Sequence, residues 1–347
     1  MRTRFARLYG QGDLKIEEGA VAAPGDGEVL LKMAAGGICG SDLHYYQDGG
    51  FGPVRVREPI IPGHEAAGYV EALGSGVTGL KPGQLVSINP SQPCGRCRFC
   101  TEGLPIHCLN MQFMGSAMRL PHAQGMFRDY LVVPAIQCLP AGDLVSAGEA
   151  ACAEPLAVCL HAAARAGDLS GKRVLVTGAG PIGCLVIAAA RYAGAAEIIA
   201  TDLTEAALER AAAMGASRTI NVLKDAGALS ALEADKGQFD VAFECSAAAS
   251  AVRNAIAVVR PRGTIVQVGV TGDLTVPVNA LVGKELHWVG SQRFDTEFAL
   301  AVKLILSQTI DVRPIISHTF PITDVISAFD MAGDRSAACK VQLTFLV

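Results

Sequence analysis

Residues 173–183 read R-V-L-V-T-G-A-G-P-I-G, and this stretch decides the fold class. Arg173–Thr177 is a short apolar, β-branched run that suits a buried strand. Gly178, Gly180 and Gly183 follow directly. In a strand–turn–helix unit the first glycine permits the tight turn, the second lets backbone approach a pyrophosphate, and the third permits close helix–strand packing. Pro181, with Ile182 beside it, fits the first helical turn, where the missing N–H would have had no partner. Dinucleotide phosphates would lie at this helix N-terminus, where free N–H groups and the dipole favour negative charge. Such a glycine turn is common on its own. Here, however, a second strand, Glu197–Thr201, ends in Asp202, at the distance expected for the acid that hydrogen-bonds the adenosine ribose. A carboxylate there repels a 2′-phosphate, so NAD is favoured. Arg210 or another base can compensate, and use of NADP as well stays open.

Working outward, residues 154–290 alternate short strands with helical patterns, including F-D-V-A-F-E-C (239–245) and G-T-I-V-Q-V-G-V (263–270). This alternation predicts an α/β Rossmann domain, a doubly wound parallel sheet that binds the cofactor. Residues 1–153 have a different texture. They are rich in Gly, Pro, Cys and His, with short β-like runs at Glu28–Met33 and Leu85–Ile88, which predicts a β-rich, loop-heavy domain. Residues 291–347 are too few to bury a core alone and are expected to return and complete that first domain. A chain of 347 residues is too long for one core and suits two domains.

The chain carries 29 basic and 33 acidic residues, a net charge of −4, with both signs interspersed. No basic stripe argues for nucleic acid, and no apolar run is long enough for a signal peptide or a membrane span. A cytoplasmic location is expected. Eleven cysteines in such a chain need an explanation other than disulfides. Cys94, Cys97, Cys100 and Cys108 crowd onto one Gly/Pro-containing loop, at spacings that let four thiolates surround a structural Zn²⁺. Spacing alone does not exclude an iron–sulfur cluster, but that cluster has no evident role beside two-electron hydride chemistry. Cys138, Cys152, Cys159, Cys184, Cys245 and Cys339 are scattered in apolar surroundings and read as small buried residues.

A second constellation comprises Cys39-Gly-Ser41-Asp42, Gly63-His64-Glu65 and Glu154. Sulfur, imidazole and carboxylate suit Zn²⁺. Yet a lone Cys or His is commonly a core residue, and Glu154 before Pro155 can simply open a helix. Spacing does not choose between these readings.

Several stretches together resemble the zinc-containing medium-chain alcohol and polyol dehydrogenases. They are G-G-I-C-G-S-D-L-H-Y (36–45), P-G-H-E-A-A-G (62–68), the cysteine cluster, E-P-L-A-V (154–158) and G-A-G-P-I-G (178–183). The similarity covers essentially the whole chain and lies in the sorbitol dehydrogenase branch. Within it, I-N-P-S (88–91), G-S-A-M (115–118) with P-H (121–122), and S-Q-R-F-D-T-E-F (291–298) resemble L-idonate 5-dehydrogenases. The resemblance implies a GroES-like catalytic domain in front of the Rossmann domain. It also implies a catalytic zinc held by Cys39, His64 and a carboxylate, with Glu65 expected closer than Glu154. Asp42 matches an acid that orients His64. Ser41 and His44 match a proton relay. Tyr45, Phe113, Glu154 and Arg293 are candidates for the substrate pocket. The Arg293 guanidinium suits a sugar-acid carboxylate, although sorbitol-type enzymes resemble this chain there too. Ser116, Arg119 and His122 either contribute to the pocket or lie on a solvent-facing loop. The expected reaction moves a hydride between a secondary alcohol and NAD, most specifically L-idonate to 5-dehydro-D-gluconate. Another polyol is the alternative, and a catalytically inert zinc- and NAD-binding redox sensor a remote one. Relatives of this kind are dimers or tetramers, so a homo-oligomer is expected, pairing around Leu281–Ser291.

Overall fold

A computed structural model describes residues 1–225, 227–270 and 272–345. The chain divides into two compact units. The first comprises residues 1–154, 298–309 and 316–347, and the second residues 155–297 and 310–315.

The first unit is built on a sheet in the order Cys138–Pro140, Leu85–Ile88, Glu65–Leu73, Glu28–Gly37, Lys340–Thr344, Ile316–Pro321, with Tyr130–Pro134 also pairing Glu28–Gly37. Glu28–Gly37 contains the E-V-L-L-K-M run, whose apolar members reach the core with Val86, Ile88, Phe127, Phe329, Val341 and Leu343. Its pairing with Lys340–Thr344 is antiparallel. The C-terminal return is thus fixed by backbone hydrogen bonds inside the sheet, which is why that segment needs no core of its own.

The second unit holds a six-stranded sheet in the order Arg218–Asn221, Glu197–Asp202, Arg173–Thr177, Phe239–Glu244, Val259–Gln267, His287–Gly290. Every neighbouring pair is parallel. Counted along this unit the order is 3-2-1-4-5-6, the doubly wound arrangement expected from the sequence. Its switch point falls between Arg173–Thr177 and Phe239–Glu244. Val174, Leu175 and Val176 are fully buried, as parallel strands covered on both faces must be. Among the described residues no helix is long and apolar enough to cross a membrane.

Candidate functional site

The helix Gly40–Asp48 begins at Cys39, its N-cap. Asp42, three residues on, reaches back so that its Oδ2 accepts the Cys39 N–H at 3.0 Å, while its Oδ1 accepts the Gly63 N–H at 3.1 Å. One fully buried carboxylate therefore locks the two loops that carry Cys39 and His64. Its Oδ1 lies 3.9 Å from His64 Nδ1, too far for a hydrogen bond. Asp42 is therefore joined to His64 through the backbone of Gly63 and through charge, with no hydrogen bond to the ring. Glu65 opens the strand Glu65–Leu73 and projects into the same space. The ligand atoms of Cys39, His64 and Glu65 all lie within 4.8 Å of one another.

Glu154 is buried beside this group and feels His64, Glu65 and Cys39, but it is not part of that tight cluster. Burial, reinforced by Glu65 and Cys39, pushes its carboxyl up to about 8. Burial and then Glu65 push the Cys39 thiol up to about 11. Burial likewise raises Asp42, against the pull of His64. The cation built into the site is Lys340, whose Nζ donates to Glu65 Oε1 at 2.8 Å and to Ile38 O at 3.1 Å, and lies 2.7 Å from Glu65 Oε2. Burial alone would lower Lys340, but Glu65 and Cys39 outweigh it and hold the ammonium firmly charged. Three carboxyls and a thiol around one lysine and one imidazole make a site short of positive charge. A divalent cation bound by sulfur, nitrogen and oxygen meets that need, and this donor set fits zinc.

The four loop cysteines also converge, their sulfurs within 4.8 Å of one another and Cys97 Sγ 3.5 Å from Cys100 Sγ. Tetrahedral zinc with Zn–S bonds of about 2.3 Å requires sulfur–sulfur edges of roughly 3.8 Å. Backbone N–H groups of Cys94 and Asn110 donate to Cys108 Sγ at 3.1 and 3.3 Å. The N–H groups of Arg96 and Cys97 lower the Cys94 thiol to about 6. Such donors stabilise thiolates, the form that ligates metal.

In the second unit Gly178 adopts φ 84°, and a Cβ there would meet Ser246 Cα at 2.9 Å. A Cβ on Gly183 would lie 1.8 Å from Gly178 O, whereas one on Gly180 would meet open space. The loop is therefore closed on the protein side and open at Gly180, the N-cap of the helix Pro181–Tyr192, as a pyrophosphate cradle requires. Asp202 ends its strand as expected, and it also braces the loop. Its Oδ2 accepts the Ala179 N–H at 2.7 Å, and its Oδ1 accepts those of Leu203 at 2.7 Å and Thr204 at 3.2 Å.

The sequence reading missed Glu244, a fully buried carboxylate at the switch point. It accepts from Ser246 N at 2.8 Å, Ser246 Oγ at 2.5 Å, Ala247 N at 3.0 Å, Thr177 Oγ1 at 3.3 Å and Gln267 Nε2 at 2.6 Å. Thr177 precedes the glycine loop, Ser246 packs under it, and Gln267 ends the next strand. Glu244 thus ties three strand ends together. A second acid closing the strand F-D-V-A-F-E, directly after its apolar run V-A-F, was the available signal.

Among the pocket candidates, the Phe113 ring centroid lies 5.5 Å from that of His64. Tyr45 is buried, stacks on Phe51 at 5.7 Å, and its hydroxyl accepts the Ala117 N–H at 3.1 Å. His44 Nδ1 lies 3.0 Å from Asp48 Oδ2 on a side chain 41% exposed. Ser41 is half-buried at the helix start. Arg293 belongs to the second unit and sits at φ 49°. Ser116 and His122 are buried rather than solvent-facing. His122 Nε2 accepts the Arg57 N–H at 2.9 Å and its Nδ1 lies 2.7 Å from Arg119 O, so both ring nitrogens are used in holding the loop.

Comparison with known proteins agrees with this geometry. Residues 25–143 match the family described as the alcohol dehydrogenase GroES-like domain, and residues 181–307 match the zinc-binding dehydrogenase family. The chain belongs to the zinc-binding alcohol dehydrogenases and is an oxidoreductase acting on CH–OH groups, of the polyol and sugar-acid type. It is 41% identical to L-idonate 5-dehydrogenase (NAD(P)(+)) of Escherichia coli (strain K12) over 346 residues, 99% of each chain. It is 34% identical to human sorbitol dehydrogenase, covering 93% of this chain and 90% of that one. The crystal structure of the Escherichia coli L-idonate 5-dehydrogenase aligns with a TM-score of 0.95 over 99% of both chains. That of 2R,3R-butanediol dehydrogenase from Bacillus subtilis, 27% identical, aligns at 0.87 over 99% of both.

Proposed function

We propose that this protein is an L-idonate 5-dehydrogenase, oxidising the C5 hydroxyl of L-idonate to the ketone of 5-dehydro-D-gluconate with NAD, and with NADP as a secondary cofactor. The observation that carries the reading is 41% identity over the whole chain to an enzyme of that name, joined to the Cys39–His64–Glu65 donor set. Cys39, His64 and Glu65 would hold the catalytic zinc, with Glu154 alongside, and Cys94, Cys97, Cys100 and Cys108 a structural one. Bound there, catalytic zinc would supply Lewis acidity that eases loss of the hydroxyl proton, and bound NAD would supply the hydride acceptor.

The chain's own residues do the rest. The first unit, residues 1–154, 298–309 and 316–347, is the catalytic domain, and the second, residues 155–297 and 310–315, the cofactor domain. The sequence-based boundary at 291 thus moves to 298, and residues 310–315 join the cofactor domain. Asp42 and Lys340 fix the donor set, and Phe113 packs beside His64. Ser41 takes the substrate proton and His44, exposed and steadied by Asp48, passes it to solvent. Tyr45 and Glu154 contact the substrate, and the Arg293 guanidinium is the group suited to its sugar-acid carboxylate. Gly178, Gly180, Pro181, Ile182 and Gly183 cradle the pyrophosphate, and Asp202 binds the adenosine ribose. The enzyme works in the cytoplasm as a homotetramer, pairing through the edge strand His287–Gly290. Exposed Val278 and Val282 nearby, 57% and 70% accessible, support that contact.

The test is NADH formation from L-idonate, D-gluconate, sorbitol, xylitol and L-threonate, with and without a zinc chelator. Chelator-sensitive turnover strongest on L-idonate is expected. Turnover on sorbitol with L-idonate ignored would favour the sorbitol dehydrogenase reading, which the 34% identity to those enzymes also supports.

A further inference from the structure

In the first unit, the hairpin strands Arg2–Gly10 and Asp13–Ala20, residues 58–61 and residues 124–128 enclose a depression of about 540 Å³. Its lining includes Thr3, Phe5, Arg7, Glu58, Gln124 and Arg128, and its size suits a small molecule.

Arg128 is the cation of this pocket that lacks an ionic partner among the described residues. Arg128 is half-buried, and its Nε donates to Gly125 O at 2.9 Å. Among the described residues no carboxylate forms an ion pair with it. Its charged neighbour is a second guanidinium, Arg7. Burial, and then Arg7, push Arg128 down to about 10. Arg7 stacks 4.7 Å from the Phe5 ring centroid and reaches Glu17 at 3.3 Å through Nη1, while its buried Nε makes no hydrogen bond. Glu58 is the carboxylate that shares the lining, but its Oε1 accepts the His122 N–H and it pairs with neither arginine. Gln124 is committed too, accepting from Ile61 N and donating to Pro59 O.

A partly buried charge without an ionic partner is costly. Guanidinium forks match the geometry of oxyanions, and two of them converging on one pocket select strongly for negative charge. We propose that this pocket is a binding site for a small oxyanion, a carboxylate or a phosphate-like group, held between Arg7 and Arg128. The site adjoins the metal cluster through backbone. Gly125, Met126 and Phe127 donate to Ile61 O, Gly63 O and Pro62 O, and His64 follows directly. An anion on Arg128 therefore braces the segment that leads into a metal donor.

The experiment uses the zinc-loaded full chain in sodium chloride, sodium sulfate and sodium succinate at matched ionic strength. Thermal melts are recorded for wild type, Arg128→Met and Arg7→Gln. Sulfate's general stabilising effect acts on all three proteins, so the readout is the difference between them. Sulfate or succinate is expected to raise the wild-type Tm by about 2–4 °C more than that of Arg128→Met. Arg7→Gln should shift half-saturation upward by about tenfold. In chloride, Arg128→Met should melt at or above wild type, because it removes a charge that lacks a partner. A response to sulfate alone identifies a phosphate-like ligand, and one to succinate alone a carboxylate. The proposal is overturned if the anion increment is the same in wild type and Arg128→Met. It fails equally if Arg128→Met melts well below wild type in chloride while keeping normal turnover. Should Arg128→Met not fold, an unchanged half-saturation in Arg7→Gln overturns it alone.

Discussion

Lys340→Met tests how Glu65 is held. Lys340 and Glu65 are 3% and 2% exposed, and their ion pair is backed by the Ile38 carbonyl. Removing the ammonium strands a buried carboxylate, a change that costs about 3–5 kcal/mol. For a unit of this size each kcal/mol moves Tm by about 2–4 °C, so the zinc-free variant should melt roughly 6–20 °C below zinc-free wild type. Zinc supplies the missing positive charge to the same carboxylate, so the loss should shrink by at least half in loaded protein. The companion is Lys340→Met with Glu65→Gln. With both charges gone nothing is left stranded, and the double variant, compared without zinc, should regain most of the stability that Lys340→Met loses. The assay is a set of melts on wild type, Lys340→Met, Glu65→Gln and the double variant in chelator, repeated with zinc for the two that keep Glu65. If the two single losses simply add in the double variant, or if zinc leaves the Lys340→Met deficit unchanged, the lysine is not the counter-charge that holds Glu65 for the metal.

Cys100→Ser should release one of the two zinc equivalents that the paired donor sets allow, read by elemental analysis, with the melting temperature falling more than the turnover per remaining zinc. His64→Ala should remove nearly all turnover while leaving NADH affinity within about twofold by fluorescence titration; retained turnover would refute the donor-set assignment. Asp202→Ala loses both a ribose acceptor and the brace on Ala179, so kcat/KM for NAD over NADP should fall by about tenfold or more; an unchanged ratio would mean the acid does not set cofactor choice. Glu244→Gln puts an amide among donors and should weaken NADH binding about tenfold, with kcat changed far less, because it loosens the cofactor loops without touching the reacting atoms.

What the sequence disclosed and what it hid follow from the range of the interactions involved. The strand–glycine–helix unit and the four-cysteine loop were legible because each is a local constraint. Gly183 must be small because Gly178, five residues earlier, passes over it, and the cysteines share one short loop. The strand order 3-2-1-4-5-6 was legible at one remove, since alternating elements and right-handed crossovers leave few other arrangements. Cys39, His64 and Glu65 are not local, and their spacing alone did not join them; the resemblance of the surrounding motifs did. The supporting residues escaped altogether. Lys340 meets Glu65 across 275 positions, and nothing in C-K-V-Q-L-T marks its lysine as buried rather than as the solvated edge of a strand. His122 was ambiguous for the same reason, its partners Arg57 and Glu58 lying about sixty-five positions away. Glu244 and Asp202 show the complementary case. Each stands at the end of a well-marked strand, yet the work it does is on neighbouring strand ends, which only the parallel register brings within reach. A donor group can be read from its own chemistry, whereas the residue that fixes a donor in place is defined by what the fold puts beside it. The substitutions most informative about this enzyme are therefore at Lys340 and Glu244, the two buried charges whose roles depend wholly on tertiary structure.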